Sequence, residues 1–420
     1  DLRVLAIDPG FRTGCKVAVL DECGQCLFTD VVYVTGSADK KAGSAKRVAD
    51  LLEKYDCNLI AIGNGTACRE TEEMVAEVIA DHRPDCRFLI VNEAGASIYS
   101  ASAVAREEFP DYDATVRGTI SIGRRLQDPL SELVKIDPQH IGVGMYQHDM
   151  SPKLLKESLD GVVESCVNYV GVDLNTASAS LLRYVSGLNQ LIARRVVSHR
   201  EGHGRFQNRK QLRDVAGIGD ATFTQAAGFL KIIGGDEPLD CTWIHPESYA
   251  AARHVLARID LKPGDLNSSG DQRAELRDKL KKLSLSDLAK ELEVGLPTLQ
   301  DIVDALSRPG RDPRTDLPGP VFRQGVLKLE DLAIGMELTG TILNVVDFGA
   351  FVDIGLKDSG LVHVSQLADQ FISSPHDVVS VGDIVTVWVQ TVDVERRRVG
   401  LTMLDPARQP VASGPGKQRR

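Results

Sequence analysis

The hexapeptide Val215-Ala216-Gly217-Ile218-Gly219-Asp220 reads as a helix end, a glycine hairpin and the first residue of another helix. The pattern occurs once before. Leu182, Val185 and Gly187 return thirty positions later as Leu212, Val215 and Gly217, and each set is followed by a helical pattern. A helix opening on such a hairpin points free backbone N–H groups and the positive end of its dipole at one spot, which suits a phosphate. The local charge agrees. From Thr176 to Ile233 nine cations (Arg183, Arg194, Arg195, Arg200, Arg205, Arg209, Lys210, Arg213 and Lys231) stand against Glu201, Asp214 and Asp220. The segment is a basic island in a chain whose formal net charge is −10.

The paired pattern resembles the helix-hairpin-helix family, whose members hold nucleic-acid backbones without reading sequence. The resemblance implies backbone contacts at Gly187, Asn189, Gly217 and Gly219, with Arg194, Arg195 and Lys210 as cationic partners. Asn189 stands where the second copy has Gly219, and Asn tolerates left-handed backbone angles better than most residues. Four places on, Ala193 supplies the usual small residue, whereas the second copy has Phe223. The plainer alternative is two helical hairpins that pack together, with glycine as a helix stop.

A chain of 420 residues is too long for one ordinary core, and two to four domains is the natural expectation. Hydrophobic residues make up 43% and charged residues 26%, as in soluble globular proteins, and no apolar run is long enough to span a membrane. Eight cysteines are scattered, and only Cys23 and Cys26 form a close pair, with no second pair to complete a zinc site. Reduced thiols in a cytoplasmic protein, with no metal and no cofactor, is the expectation. The chain begins with Asp1 rather than Met, so a piece of a longer protein is expected.

The first third alternates apolar runs with helical patterns: three strands joined by tight turns, then helix, strand, helix, strand, helix. This order resembles the ribonuclease-H-like fold, and Val4-Leu5-Ala6-Ile7-Asp8-Pro9-Gly10 resembles its YqgF branch, related to Holliday-junction resolvases. Such enzymes gather carboxylates to hold two divalent metals about 4 Å apart. The candidates are Asp8, Glu93 and Asp128, a vestigial set. Asn64-Gly65 follows the strand where the resolvase pattern supplies an acid, and Arg124 and Arg125 precede Asp128. The domain is therefore expected not to be an active nuclease. A metal-dependent nuclease or resolvase remains the alternative.

From Ser151 a helix begins, with Leu154, Leu155, Leu159, Val162 and Val163 as its apolar face. Beyond the basic island, Leu285 to Leu306 reads like a helix-turn-helix, but Asp301 and Asp304 put the wrong sign on its second helix for a groove. Packing is the better reading. A proline-rich linker follows, and then five strands with glycine turns suit an OB barrel.

Phe348-Gly349-Ala350-Phe351-Val352-Asp353 with Gly360-Leu361-Val362-His363-Val364-Ser365 resembles the RNA-binding domain repeated in ribosomal protein S-one. The resemblance implies a base-stacking platform of Phe348, Phe351 and His363, worth about 1–3 kcal/mol per base. Lys357, Arg396, Arg397 and Arg398 are outnumbered by nine acids in the barrel, so affinity must come from the aromatic face and the local arginine cluster. Three core aromatics in a barrel is the alternative.

Taken together, the order of domains is similar to that of the bacterial Tex family, transcription accessory factors related to eukaryotic elongation factors. The expected fold class is multidomain α/β + α + β: an RNase-H-like α/β domain (1–136), a helical connector (137–175), tandem helix-hairpin-helix (176–234), a helical segment (235–306), a linker (307–330), an S-one-type five-stranded OB barrel (331–405) and a disordered tail (406–420). The resemblance implies a monomeric, non-enzymatic scaffold that binds RNA and DNA largely without sequence specificity. Single-stranded RNA is favoured, the transcription machinery is the implied partner, and no membrane is involved.

Overall fold

The structure, a computed structural model, describes residues 2–142, 147–267, 271–310, 312–316, 322, 329, 332–356, 359–369, 372, 374–394 and 396–405. These form two compact units. One holds the first sheet and the C-terminal barrel, the other the helical middle of the chain.

The first sheet comprises β1 (Val4–Asp8), β2 (Cys15–Leu20), β3 (Cys26–Val32), β4 (Leu59–Gly63) and β5 (Arg87–Val91) in the order β3-β2-β1-β4-β5. β1 runs antiparallel to β2 and parallel to β4, so it lies at the centre with both faces covered. That position explains its unbroken apolar run. Leu5 and Ile7 face a core built with α1 (Ala38–Lys54) and α2 (Cys68–His82). Val4 packs on the other face with Ala61, Val91 and Ile122. α1 starts where Ser37 accepts a hydrogen bond from the Lys40 backbone N–H.

The sequence pattern predicts one helix from Gly95 to Glu107, and the structure has two: α3 (Ala96–Ala101) and α4 (Ala103–Glu108). Ser102 breaks the run by capping α4 through the Ala105 N–H. The sequence pattern predicts a helix from Asp128 to Ile136, and after α5 (Ala114–Gln127) the structure has the shorter α6 (Pro129–Leu133). α7 (Pro152–Val170) buries Leu155 and Val167, with Leu159 and Val163 half-buried, while Leu154 and Val162 are exposed. The apolar face read from the sequence was thus too wide. At about 100° per residue, Leu154 falls off the stripe through Leu155, Leu159, Val163 and Val167, whereas Val162 sits at its very edge, about 20° beyond Leu155, and is exposed there.

β6 (Val172–Asp173) leads to α8 (Ala179–Leu182), α9 (Gln190–His203), a 3-10 segment (Arg209–Asp214), α10 (Asp220–Ala227) and β7 (Leu230–Lys231), which pairs parallel with β6. One core joins them: Leu182, Val185, Leu188 and Val196 from the first copy, Leu212, Val215, Ile218 and Phe223 from the second. α11 (Tyr249–Arg258), α12 (Asp271–Lys281), α13 (Leu285–Glu291) and α14 (Leu296–Ser307) share a further core. α13 and α14 supply Leu288, Leu299, Ile302 and Leu306 to it.

β8 (Glu337–Val346), β9 (Gly349–Asp353), β10 (Gly360–His363), β11 (Ile384–Asp393) and β12 (Arg398–Thr402) close a barrel in the order β10-β12-β11-β8-β9. Alternating residues such as Ile342, Ala350, Val352, Val362, Val387, Val389 and Leu401 fill it. Among the described residues, no helix is long and apolar enough to cross a membrane. Residues 406–420 and Lys357 lie outside the described residues.

Candidate nucleic-acid interface

The barrel brings its aromatic candidates to one face. A Cβ on Gly349 would stand 2.1 Å from the Val362 carbonyl oxygen, so only glycine lets β9 approach β10 this closely. This close pairing fixes the flanking rings. The Val364 N–H donates to the Phe348 carbonyl at 2.9 Å, His363 pairs opposite Gly349, and Phe351 opposite Leu361. The Phe348 and Phe351 centroids lie 6.2 Å apart at 87°, an edge-to-face pair. Phe348 is 51% exposed, and neither ring is among the residues of the barrel core. His363 is exposed, and its Nδ1 lies 3.0 Å from the Ser365 hydroxyl. Arg396, Arg397 and Arg398 are exposed at the β11–β12 turn, where Arg397 takes a left-handed φ of 52°.

The hairpins show a sharper division of labour than their charge count suggests. Gly187 (φ 84°) and Gly217 (φ 97°) occupy equivalent left-handed turns. Asn189 caps α9 by accepting from the Ile192 N–H, whereas Gly219 caps α10 with no side-chain bond. Nothing lies within 4 Å of a Cβ built on Gly219, so that helix end is open.

Several of the cations serve the fold. Arg209 is 1% exposed and donates to the carbonyls of Leu230 (2.6 Å), Ile244 (2.7 Å) and Thr242 and to the Tyr249 hydroxyl (2.8 Å). The Arg209 N–H and the Tyr249 hydroxyl both donate to the Asp240 carboxylate. Arg200 donates to the carbonyls of Leu174 and Ala177, and Lys231 to that of Val170. Burial holds both below their usual basicity. Arg213 lies 4.2 Å over the Phe223 ring and 3.2 Å from Asp220, so Phe223 is packed into the second hairpin. The side chains of Arg194, Arg205 and Lys210 are exposed and make no hydrogen bond or ion pair among the described residues. Sequence reasoning counted these nine cations alike, because nothing in residue type separates a buried guanidinium from a solvated one.

At the end of β1, Asp8 is brought together with Glu93. Burial, then the Glu93 charge, pushes the Asp8 carboxyl up to about 6, with Lys16 opposing. The Asn64 side-chain oxygen accepts from the Glu93 N–H at 3.0 Å. A Cβ on Gly65 would meet Glu93 Oε1 at 2.4 Å, so the loop presses directly on that carboxylate. Buried Arg125 donates to the Asn92 carbonyl at 2.6 Å, one residue from Glu93. Asp128 is otherwise engaged. It caps α6 through Ser131 and accepts from Arg314 Nη1 at 2.9 Å. Among the described residues, no group of three or more His, Cys, Asp or Glu side chains is placed to hold a metal ion.

Family models match this chain in series. Residues 2–127 match the Tex protein YqgF-like domain, 167–231 the helix-hairpin-helix motif, 237–314 the HHH domain and 331–404 the S1 RNA binding domain. The chain belongs to the Tex family. It is 51% identical over 416 residues to "Protein tex" of Bordetella pertussis, covering 98% of this chain and 52% of that protein. It is 54% identical over 401 residues to the "Uncharacterized protein YdcI" of Bacillus subtilis, covering 96% and 55%. It is 47% identical over 404 residues to the "Transcriptional accessory protein Tex" of Neisseria gonorrhoeae, covering 96% and 52%. The chain thus spans about half the length of the curated Tex relatives it matches. Among solved structures, Thermus thermophilus RuvC in complex with Holliday junction substrate is 14% identical, covering 29% of this chain and 90% of that one, with a TM-score of 0.24. The solution structure of GSP13 from Bacillus subtilis is 29% identical, covering 20% and 65%, with a TM-score of 0.18. The segment expected as a helix-turn-helix-like packing element is the one matched as an HHH domain.

Proposed function

We propose that this chain is the nucleic-acid-holding part of a transcription accessory scaffold, with single-stranded RNA on the barrel and nucleic-acid phosphates on the hairpins. The observation that carries the reading is the edge-to-face Phe348–Phe351 pair, outside the barrel core beside His363, with Phe348 exposed and Phe351 half-buried. Bases stack on such rings whatever their sequence. The hairpins add open backbone at Gly219 and the unengaged cations Arg194 and Lys210, which suit phosphate without base readout. The name of the Neisseria gonorrhoeae relative supports the transcription setting.

The RNase-H-like site is proposed to be non-catalytic. Its donor set does not fit a two-metal centre. Two carboxylates meet there, Asn64 spends its side-chain oxygen on the Glu93 N–H, and the Arg125 cation lies beside Asn92. Two divalent ions need a denser cluster of anionic oxygens.

The test is RNA binding by the parent and by Phe348→Ala with Phe351→Ala, with circular dichroism to confirm the fold. Loss of two stacked bases should cost on the order of 2–6 kcal/mol. A folded double variant that binds like the parent overturns the barrel assignment. Incubation with branched DNA or RNA and Mg²⁺ or Mn²⁺ should give no product, and cleavage that disappears in Asp8→Ala would overturn the non-catalytic assignment.

A further inference from the structure

The barrel carries a local irregularity beside its aromatic pair. β8 pairs with β9 in register at Ile342↔Val352 and resumes at Asn344↔Phe351, so Leu343 is an extra residue in β8. Such a bulge turns successive side chains to the same side and re-aims them. The burial sequence shows the effect. Ile342 and Val345 are buried in the barrel, while Leu343 (53% exposed) and Asn344 both face solvent. Without the extra residue, strict alternation would give the segment one outward side chain between its two core residues. With it, an apolar side chain and a carboxamide stand side by side, and the carboxamide is directly opposite Phe351. Directly opposed residues in an antiparallel pair hold their Cβ atoms about 4.5–5.5 Å apart, within reach of one base stacked on the ring.

We infer that Asn344 is a base-reading residue that gives this barrel a preference for adenine at the nucleotide stacked on Phe351. The inference rests on the stacking platform proposed above and adds to it what that platform lacks, a group that tells bases apart. A carboxamide presents one acceptor and one donor in a plane. The N6 amino group and N7 of adenine present the complementary pair, and in a single strand that edge is open. Leu343, on the same side, supplies apolar contact for the flanking nucleotide. Among the described residues Asn344 makes no side-chain hydrogen bond that would hold the carboxamide elsewhere. The competing account is that the bulge serves only to bend β8 for barrel closure, with Asn344 merely solvated.

The experiment compares the full chain, its Asn344→Ala variant and its Phe351→Ala variant on ten-residue oligoadenylate, oligouridylate and an oligomer of 7-deazaadenine, which lacks the N7 acceptor. The parent should bind oligoadenylate about tenfold more tightly than the 7-deaza oligomer, within the range for one lost hydrogen bond. Asn344→Ala should bind the two alike while keeping its affinity for oligouridylate. If the parent does not distinguish adenine from 7-deazaadenine, or Asn344→Ala still does, the assignment to Asn344 fails. Phe351→Ala separates that failure from failure of the platform, because it should weaken all three ligands. If it weakens none, the stacking reading itself is wrong.

Discussion

Arg195 Nη1 donates to the carbonyl oxygen of Ala216 at 3.0 Å, so the helix of the first hairpin holds the turn of the second. Its neighbour Arg194 is exposed and makes no such bond among the described residues. The two arginines should separate in experiment. Arg194→Ala should leave stability unchanged and flatten the salt dependence of RNA binding by about 0.7 in log–log slope, the value for one single-strand phosphate contact. Arg195→Ala should also destabilise the hairpins, by about 1 kcal/mol for a lost hydrogen bond. Denaturation curves and salt titrations read the two effects independently. Equal stability loss in both variants would refute the distinction.

The hairpin glycines should differ in the same way. Gly219 has an extended backbone (φ −92°, ψ −178°) that any residue adopts, with open space around a built Cβ. Gly219→Val should therefore fold normally and bind nucleic acid less tightly, because its side chain blocks close backbone approach. Gly217 has φ 97°, and its Cβ would lie 2.7 Å from Arg195 Nη1. Gly217→Val should lower the melting temperature. Normal binding by Gly219→Val would make the second hairpin a packing device.

Stability should depend on pH through Asp8. Burial, then the Glu93 charge, holds its carboxyl at about 6 in the fold, against 3.8 for a free side chain. Below about pH 4 it is protonated in both states and the fold bears no penalty. Between about pH 4 and 6 the unfolded chain releases this proton while the fold retains it, so stability falls as pH rises. With a discount for partial exposure, the loss is on the order of 2 kcal/mol and is complete above pH 6. Asp8→Asn should be more stable than the parent at pH 7.5 and about equal to it at pH 4. Urea denaturation of both at the two pH values checks this, and a gap that does not change with pH would count against it.

The buried cluster around Arg209 gives a fourth expectation. Asp240→Ala removes the carboxylate that accepts from the Arg209 N–H and the Tyr249 hydroxyl. Leaving an uncompensated buried cation should cost about 3–5 kcal/mol. Exposed Lys210→Ala, one residue from Arg209, should cost within about 0.5 kcal/mol. Thermal unfolding compares the two.

Much of this was legible in the sequence, for physical reasons that differ by element. β1 announces a central strand because both its faces are buried, which removes alternation and leaves a continuous apolar run. The hairpins announce themselves because left-handed turns at Gly187 and Gly217 demand glycine. The Phe348-Gly349 pair is readable because the close approach of β10 at Gly349 excludes any Cβ. Three things were not readable. Which island cations are buried depends on carbonyls supplied by distant segments, as with Thr242 and Ile244 for Arg209. The break at Ser102 depends on a cap that competes with helix continuation. The bulge at Leu343 is a matter of pairing with β9, and Leu343-Asn344 carries no residue type that marks it.

The partners of Arg209 also set a timetable for synthesis. Its acceptors lie 21, 33, 35 and 40 residues downstream, at Leu230, Thr242, Ile244 and Tyr249. On a ribosome the hairpin pair is fully translated by Lys231, yet its central guanidinium has no complete shell until Tyr249 has cleared the exit tunnel. During that interval the nascent hairpins are an unfinished body with a cation at their core. A pause while Thr242 to Tyr249 are still inside the tunnel would prolong that unfinished state, and a pause after Tyr249 has emerged would let the hairpins close.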